Sequence, residues 1–467
     1  MRKISVACSE INYLPEGQTT DLANVLTIQN LIYEPLVRMD SREMRPALAQ
    51  SWQALDNGRR WLFYIRENAA FSDGTPCTAS DVIRSLELAK NATDTFGIPG
   101  SFTNYLARLS FSACSRNCVQ ISCPEPNHEM LDFLSEIYIQ KPGDSIPLGT
   151  GHYKAADYEA GKSLTLIYRG SPDRFNAYDE IRFIQVPDAA NRLEALKKGA
   201  VDLAAETDDI APLRNTSNID GCRWHYAVST LSVTGFLNGF EKPFSNPLAR
   251  LAVNFAVNKQ KIIDRIYHGL GVPAATVVSP YHYGYESTLE PIPFSPDKAK
   301  ELFDKTGFPA SLTIRTPQIN PAHGEEIANL IKEDLEKIGI KVSVDVQTDR
   351  SAYTKEVIHK NIGHLGLFIS SHRSVYRILH DKISSRIHSR WWQGVSDEES
   401  DRLIDAAHAS ADPYLRRRAY AKVLNRLNAV PPWLYMFHPV STFVESENIA
   451  SNIELTHSGL LRFPGTW

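Results

Sequence analysis

Trp61-Leu-Phe-Tyr-Ile-Arg-Glu-Asn-Ala-Ala-Phe-Ser-Asp-Gly-Thr-Pro76, continued by Cys77-Thr-Ala-Ser-Asp-Val-Ile-Arg84, packs a strand, a turn and a helix start into 24 residues. Trp61, Phe63 and Ile65 alternate with Leu62, Tyr64 and Arg66, the period-2 pattern of a half-buried strand. Asp73-Gly74 supplies turn chemistry. Thr78, with Asp81 three residues on, forms a capping-box pattern, and Val82, Leu86 and Ala89 then recur at helical spacing.

The same alternation of strand and helix extends in both directions. Ile4, Val6 and Cys8 alternate as a first strand, and Leu22 to Tyr33 reads as a helix. Pro147-Leu-Gly-Thr-Gly-His-Tyr-Lys154 offers glycines for left-handed backbone, and Leu164, Leu166 and Tyr168 alternate beyond it. A helix through Leu193-Glu-Ala-Leu-Lys-Lys closes at Gly199 and enters a strand. Asn246-Pro247 starts a helix, whose apolar stripe should be Leu248, Leu251, Ala252 and Phe255. Further helices are expected from Gln260 to His268, from Ser295 to Gly307 and from Ile327 to Gly339. Strands should include Lys341 to Val346 and Leu365-Leu367-Ile369. Single strands alternating with helices imply α/β lobes with partly parallel, mixed sheets.

Composition narrows the function classes. A chain of 467 residues exceeds one core, and a net charge of -4 offers no basic field for nucleic acid. No window approaches the roughly eighteen apolar residues of a membrane span. The six cysteines contain no C-x-x-C pair. Cys114 and Cys118 flank a hairpin turn with Cys123 behind, and Cys8 and Cys222 lie far apart; bridges or free thiols are both compatible with that spacing. Nucleophile elbow, Walker loop and H-E-x-x-H patterns are absent. Gly269-Leu-Gly-Val-Pro-Ala274 matches a dinucleotide fingerprint only formally, because it follows a helix. His359, His364, His372, His380 and His388 are spaced by 5, 8, 8 and 8, none of which pairs two ligands on one helix face. The expectation is a protein that is not an enzyme and has no resident metal or cofactor.

Taken together, the phrases resemble the extracytoplasmic solute-binding proteins of dipeptide, oligopeptide and nickel ABC transporters (solute-binding family 5). The resemblance is carried by Tyr33-Glu-Pro-Leu-Val37, Pro46-Ala-Leu-Ala-Gln-Ser-Trp52, the opening Phe71-Ser-Asp-Gly-Thr-Pro76 and Pro147-Leu-Gly-Thr-Gly-His-Tyr153. The region from Pro243-Phe244 to Gly269 and the join Ile338-Gly-Ile-Lys-Val342 add to it. It implies a bilobal periplasmic-binding-protein-like fold of type II, with an extra subdomain inserted in lobe I. Lobe I would comprise 1–37, the insert 38–145, then 146–235 and a return at 435–467; lobe II would span 236–434. The implied function is the substrate-binding component of an ABC importer, a monomer that delivers a small molecule or peptide to a membrane permease. A metal-chelate binder of the same family and an intracellular sensor on the same fold are the alternatives. Localisation should be periplasmic, although Ser9, Glu10 and Asn12 cut the first apolar run short of an export signal.

Where peptide-binding relatives place an Asp for the ligand's ammonium, this chain reads Ser370-Ser-His-Arg-Ser-Val-Tyr376. An arginine there reverses the electrostatic preference toward carboxylate or phosphate. Arg373 and His372 are therefore expected to recognise an anionic group. Tyr376 and Phe102 should supply apolar walls, with Tyr105, Tyr13 and Trp391 as further ligand contacts.

Overall fold

The computed structural model describes the chain apart from residues 1, 12–17, 21, 41–42, 95–96, 144–145, 147, 171–175, 209, 211–220, 286–287, 308–310, 319–320, 371–373, 450 and 467. It divides into two compact units, Met1–Ala227 with Ser441–Trp467, and Val228–Val440. The chain thus passes between the units twice. Among the described residues no helix is long and apolar enough to cross a membrane.

The first unit is built on a mixed sheet. Lys3–Cys8 pairs in parallel with both Glu180–Gln185 and Leu203–Ala205, while Tyr153–Glu159, Ser163–Tyr168 and the last residues of Trp433–Ser446 add antiparallel neighbours. Alternation sends Ile4, Val6 and Cys8 into one core with Ile28, Leu31 and Phe183. Ala7 turns to the other face, beneath Leu193 and Leu196 of the helix Ala189–Lys197. Each face is thereby covered by a helix, as a parallel core requires.

A second, four-stranded antiparallel sheet in this unit runs Ala49–Leu55, Arg60–Ile65, Cys118–Ser122, Ser110–Ser115. Trp61, Phe63 and Ile65 point to its buried face, and Gly74 turns the chain at φ +85°. Thr78 then donates its N–H and hydroxyl to the Asp81 carboxylate, both at 2.8 Å, and the helix Ala79–Lys90 begins.

The second unit carries Ser311–Pro317 between parallel neighbours Lys341–Gln347 and Leu365–Ser370. Ser232–Leu237 continues the sheet antiparallel to Leu365–Ser370, followed by Trp433–Ser446. Helices Pro247–Ala256, Lys259–Ile266, Pro296–Thr306, Gly324–Lys337, Arg350–Ile358, Glu398–His408 and Pro413–Ala429 belong to this unit. Asn246 caps the first of them by accepting from Leu248 N–H at 2.9 Å, with Pro247 at the first helical position.

The face of that helix differs from the expected stripe. Leu248 is 40% exposed, whereas Arg250 and Asn254 are buried with Ala249, Val253 and Phe255. Arg250 donates to the carbonyls of Pro431 (3.0 Å) and Phe244 (2.8 Å), and Asn254 to Trp433 (2.9 Å). These fixed acceptors draw the polar side chains inward and rotate Leu248 out. Gly269-Leu-Gly-Val-Pro-Ala274 follows the helix Lys259–Ile266 and becomes the short strand Gly271–Pro273, paired to residues 437–439.

Candidate functional site

In the first unit the phrases that carried the family resemblance are physically knitted together. Arg66, at the end of Arg60–Ile65, grips Glu34 with both amino nitrogens (3.1 and 2.5 Å) and donates to the Ala47 carbonyl at 3.0 Å. Arg169 donates to Gly151, Ala70 and Phe71 carbonyls, each at 2.9 Å. Ser72 N–H reaches Gly149 O at 3.0 Å, and Gly151 N–H reaches Ile32 O at 2.8 Å. Asp73, at the turn, receives Lys141 at 2.8 Å and is held well below the usual carboxylate range by that ammonium and by Thr75. His152 stacks on Tyr168, and burial lowers its pKa. The motif residues thus form a rigid frame; they bond to one another.

Two expected ligand contacts lie in this unit. Phe102 immediately precedes the short helix Thr103–Leu106 and is buried. Tyr105 sits on that helix with its ring stacked on Phe133 at 5.5 Å. Tyr13 lies outside the described residues.

In the second unit the strand Leu365–Ser370 leads toward residues 371–373, so His372 and Arg373 also lie outside the described residues. The chain is described again from Ser374, which caps the helix Val375–Ile378 by accepting from Arg377 N–H at 3.2 Å. Around this strand end the described residues are rich in cations. Lys382 is buried and donates to the Ser370 hydroxyl at 3.0 Å. Arg377 is buried one helical turn before it. The Arg350 guanidinium lies 5.0 Å over the Phe368 ring, and Arg390 lies 5.4 Å over Trp391. Phe368 and Trp391 are themselves in contact, with centroids 5.1 Å apart. Asp381 is the buried acid of this segment, 3.1 Å from His380.

The loop that presents Trp391 is clamped from below. Lys360 donates to the carbonyls of Ser389 (3.3 Å), Arg390 (2.8 Å) and Trp392, and burial pushes its pKa down to about 8. Gln393 adds a bond to Val357 O at 3.0 Å. Tyr376 is buried in a ring cluster, edge-on to His408 at 4.9 Å and tilted against His380 at 5.5 Å. Trp391 retains partial exposure; Tyr376 keeps little.

Sequence reasoning singled out His372, Arg373, Tyr376 and Trp391 here but overlooked Arg350, Arg377, Lys382 and Arg390. Arg377 and Lys382 follow the strand end at seven and twelve residues, a density of cations that could have drawn notice. Arg350 is legible only in three dimensions. Among the described residues no group of three or more His, Cys, Asp or Glu side chains could hold a metal. A separate pocket of about 400 Å³ in the second unit is lined by Leu248, Arg250, Asp397 and Arg426, among others. There Arg426 grips Asp397 at 2.6 and 2.9 Å and holds its pKa at about 2.

Comparison with known proteins shows what this architecture resembles. The sequence model described as bacterial extracellular solute-binding proteins, family 5 middle, matches residues 43–372. The nickel-binding periplasmic protein of Escherichia coli (strain K12) is 25% identical over 92% of this chain and 88% of its own length. The dipeptide-binding protein of the same strain is 25% identical over 73% of this chain and 71% of its own. Among solved structures, HbpA2 from Haemophilus parasuis superposes with a TM-score of 0.83 at 19% identity, covering 99% of both chains. NikA from Brucella suis, solved with Fe(III)-EDTA, gives the same score, identity and coverage.

Proposed function

The chain belongs to the bacterial extracellular solute-binding proteins of family 5, and we propose that its two units close on one small solute and present it to an ABC-transporter permease. The observation that carries this reading is coverage: solute-binding proteins align with essentially the whole chain, at 98–99% of its length in the solved relatives. Binding would act as a population shift, since a solute that touches both units only when they are closed favours that state. The role is capture and delivery, with no bond made or broken.

The solute proposed is a peptide or peptide-like conjugate with an anionic group. Lys382 bonds to Ser370 at the end of Leu365–Ser370, Arg350 lies over Phe368 of that strand and Arg390 over Trp391, which packs on Phe368, and these cations support an anionic preference. Arg373 and His372 would take the anion itself, with Phe102, Tyr105, Tyr13, Tyr376 and Trp391 as apolar walls. The protein would act as a monomer outside the cytoplasmic membrane. A second reading, a nickel chelate, is favoured by the nickel-binding relative that aligns over 92% of the chain.

Calorimetric titration with dipeptides, glutathione, haemin and nickel–histidine separates these readings. One anionic peptide class should bind one-to-one with a Kd of about 1 μM, equivalent to roughly 8 kcal/mol. Arg373→Ala should weaken that binding about 10-fold or more, the loss of a charge-assisted contact worth some 1.5–3 kcal/mol. Unchanged affinity would remove Arg373 from the site, and saturation by nickel–histidine alone would favour the chelate reading.

A further inference from the structure

We propose that Cys114 and Cys118 form a disulfide that staples the tip of the hairpin made by Ser110–Ser115 and Cys118–Ser122. Both thiols are free in the structure, Cys114 exposed and Cys118 buried. The pairing of these strands shifts between Cys118, opposite Ser115, and Val119, opposite Ala113. Cys114 is therefore the extra residue of a β-bulge. A bulge re-aims its side chain, and here Cys114 Sγ comes within 3.9 Å of Gln120 Oε1. Gln120 and Cys118 are two residues apart on one strand and share a face. Cys114 and Cys118 accordingly lie on that face beside one another, and the Cys118 thiol is raised by burial and, after that, by the neighbouring Cys114.

The remaining four cysteines do not compete for this pair, and Cys222 packs against the cluster of Ala7, Leu193 and Leu196. Cys123 follows the far end of the strand, five residues from Cys118 and so about 17 Å along it. Cys8 and Cys77 are buried, and desolvation raises both thiols, Cys77 to about 12.

The tip is worth fixing because neighbouring elements hang from it. Ile65 N–H donates to Asn117 O and Ala79 N–H to Arg116 O, each at 2.8 Å. One turn thus anchors the end of the strand Arg60–Ile65 and the first residue of the helix Ala79–Lys90. A bridge beside it would hold both acceptors in place.

Formation requires an oxidant, here a small-molecule or protein disulfide. The exposed Cys114 attacks it as thiolate, giving a mixed disulfide and releasing one thiol. Cys118 then attacks the Cys114 sulfur and expels the second. Overall two thiols lose two protons and two electrons, one sulfur–sulfur bond forms, and the oxidant's disulfide is reduced to two thiols. Occupancy of the bridge in the cell rests on the extracytoplasmic reading; the capacity to form it does not.

The folded full-length chain is incubated with oxidised glutathione in mildly alkaline buffer, acid-quenched, alkylated and digested with trypsin. Cleavage after Arg108, Arg116 and Lys154, the Lys141–Pro142 bond being resistant to trypsin, separates the two cysteines, so the bridge reads as peptides 109–116 and 117–154 joined, lighter by two hydrogens. The linked pair should persist in Cys123→Ser and vanish in Cys114→Ser, whose altered position is exposed and leaves the fold intact. Alkylation of both Cys114 and Cys118 after oxidation would overturn the proposal, as would a linked pair that disappears with Cys123→Ser. A bridge formed in vitro together with free thiols in protein taken from its host would support the bridge and count against export.

Discussion

At the scale of single residues, buried polar groups decide what the sequence pattern leaves ambiguous. Counting apolar positions assigns Leu248 to the core and Arg250 to solvent, yet Arg250 is buried against backbone carbonyls and Leu248 is exposed. Nothing in a hydrophobic periodicity reports a carbonyl 181 residues away. Arg250→Ala should cost about 3 kcal/mol in urea unfolding, because it strands those acceptors without water; a loss below about 1 kcal/mol would mean the carbonyls are rehydrated. His408 supplies a pH-dependent counterpart. Its Nε2 is buried without a partner among the described residues, and burial, reinforced by His380 and Arg416, pushes its pKa down to about 3. Between that value and its ordinary 6.5 the unfolded chain binds the extra proton, so stability rises with pH and falls on acidification through this window. The slope from one such group approaches about 1.4 kcal/mol per pH unit. His408→Phe should flatten the acid limb of stability measured from pH 7 to pH 5, and an unchanged slope would show that the imidazole is hydrated.

At the scale of elements, the sequence is far more legible. The strand–turn–helix from Trp61 to Arg84 forms with its capping box, and Gly199, Gly269 and Gly339 all end their helices at positive φ. These are local signals, each written within a few residues. The loops between them are less local. Gly149 and Gly151 invite a reading as flexible positions, but both have negative φ and neither is needed for left-handed backbone. They are needed for space: a Cβ on Gly149 would lie 2.1 Å from Ile32 O, and one on Gly151 2.5 Å from Ile32 C. Gly149→Ala should therefore destabilise the first unit by about 2 kcal/mol or more, a backbone clash that cannot be relieved by a rotamer change. Thermal unfolding checks this; a variant with wild-type stability would mean that the segment shifts without penalty. The candidate site is legible only in part for the same reason. His372 and Arg373 stand out in the sequence at a strand end, whereas Arg350 joins that neighbourhood through its contact with Phe368, from a separate helix.

At the scale of the whole molecule, the two-unit division and the double passage of the chain fit a protein whose output is a change of shape on binding. Fold and function rest here on different grounds. The fold follows from alternating elements and is shared by relatives with haem, peptide and nickel in their names. The solute must be argued from charge and aromatic placement, because one scaffold serves many ligands. The central claim, that the two units close around one solute, is tested most directly by small-angle X-ray scattering across a titration with the solute that saturates the calorimeter. The radius of gyration should fall and level off at one solute per chain. A radius that stays constant while calorimetry reports full occupancy would contradict the account.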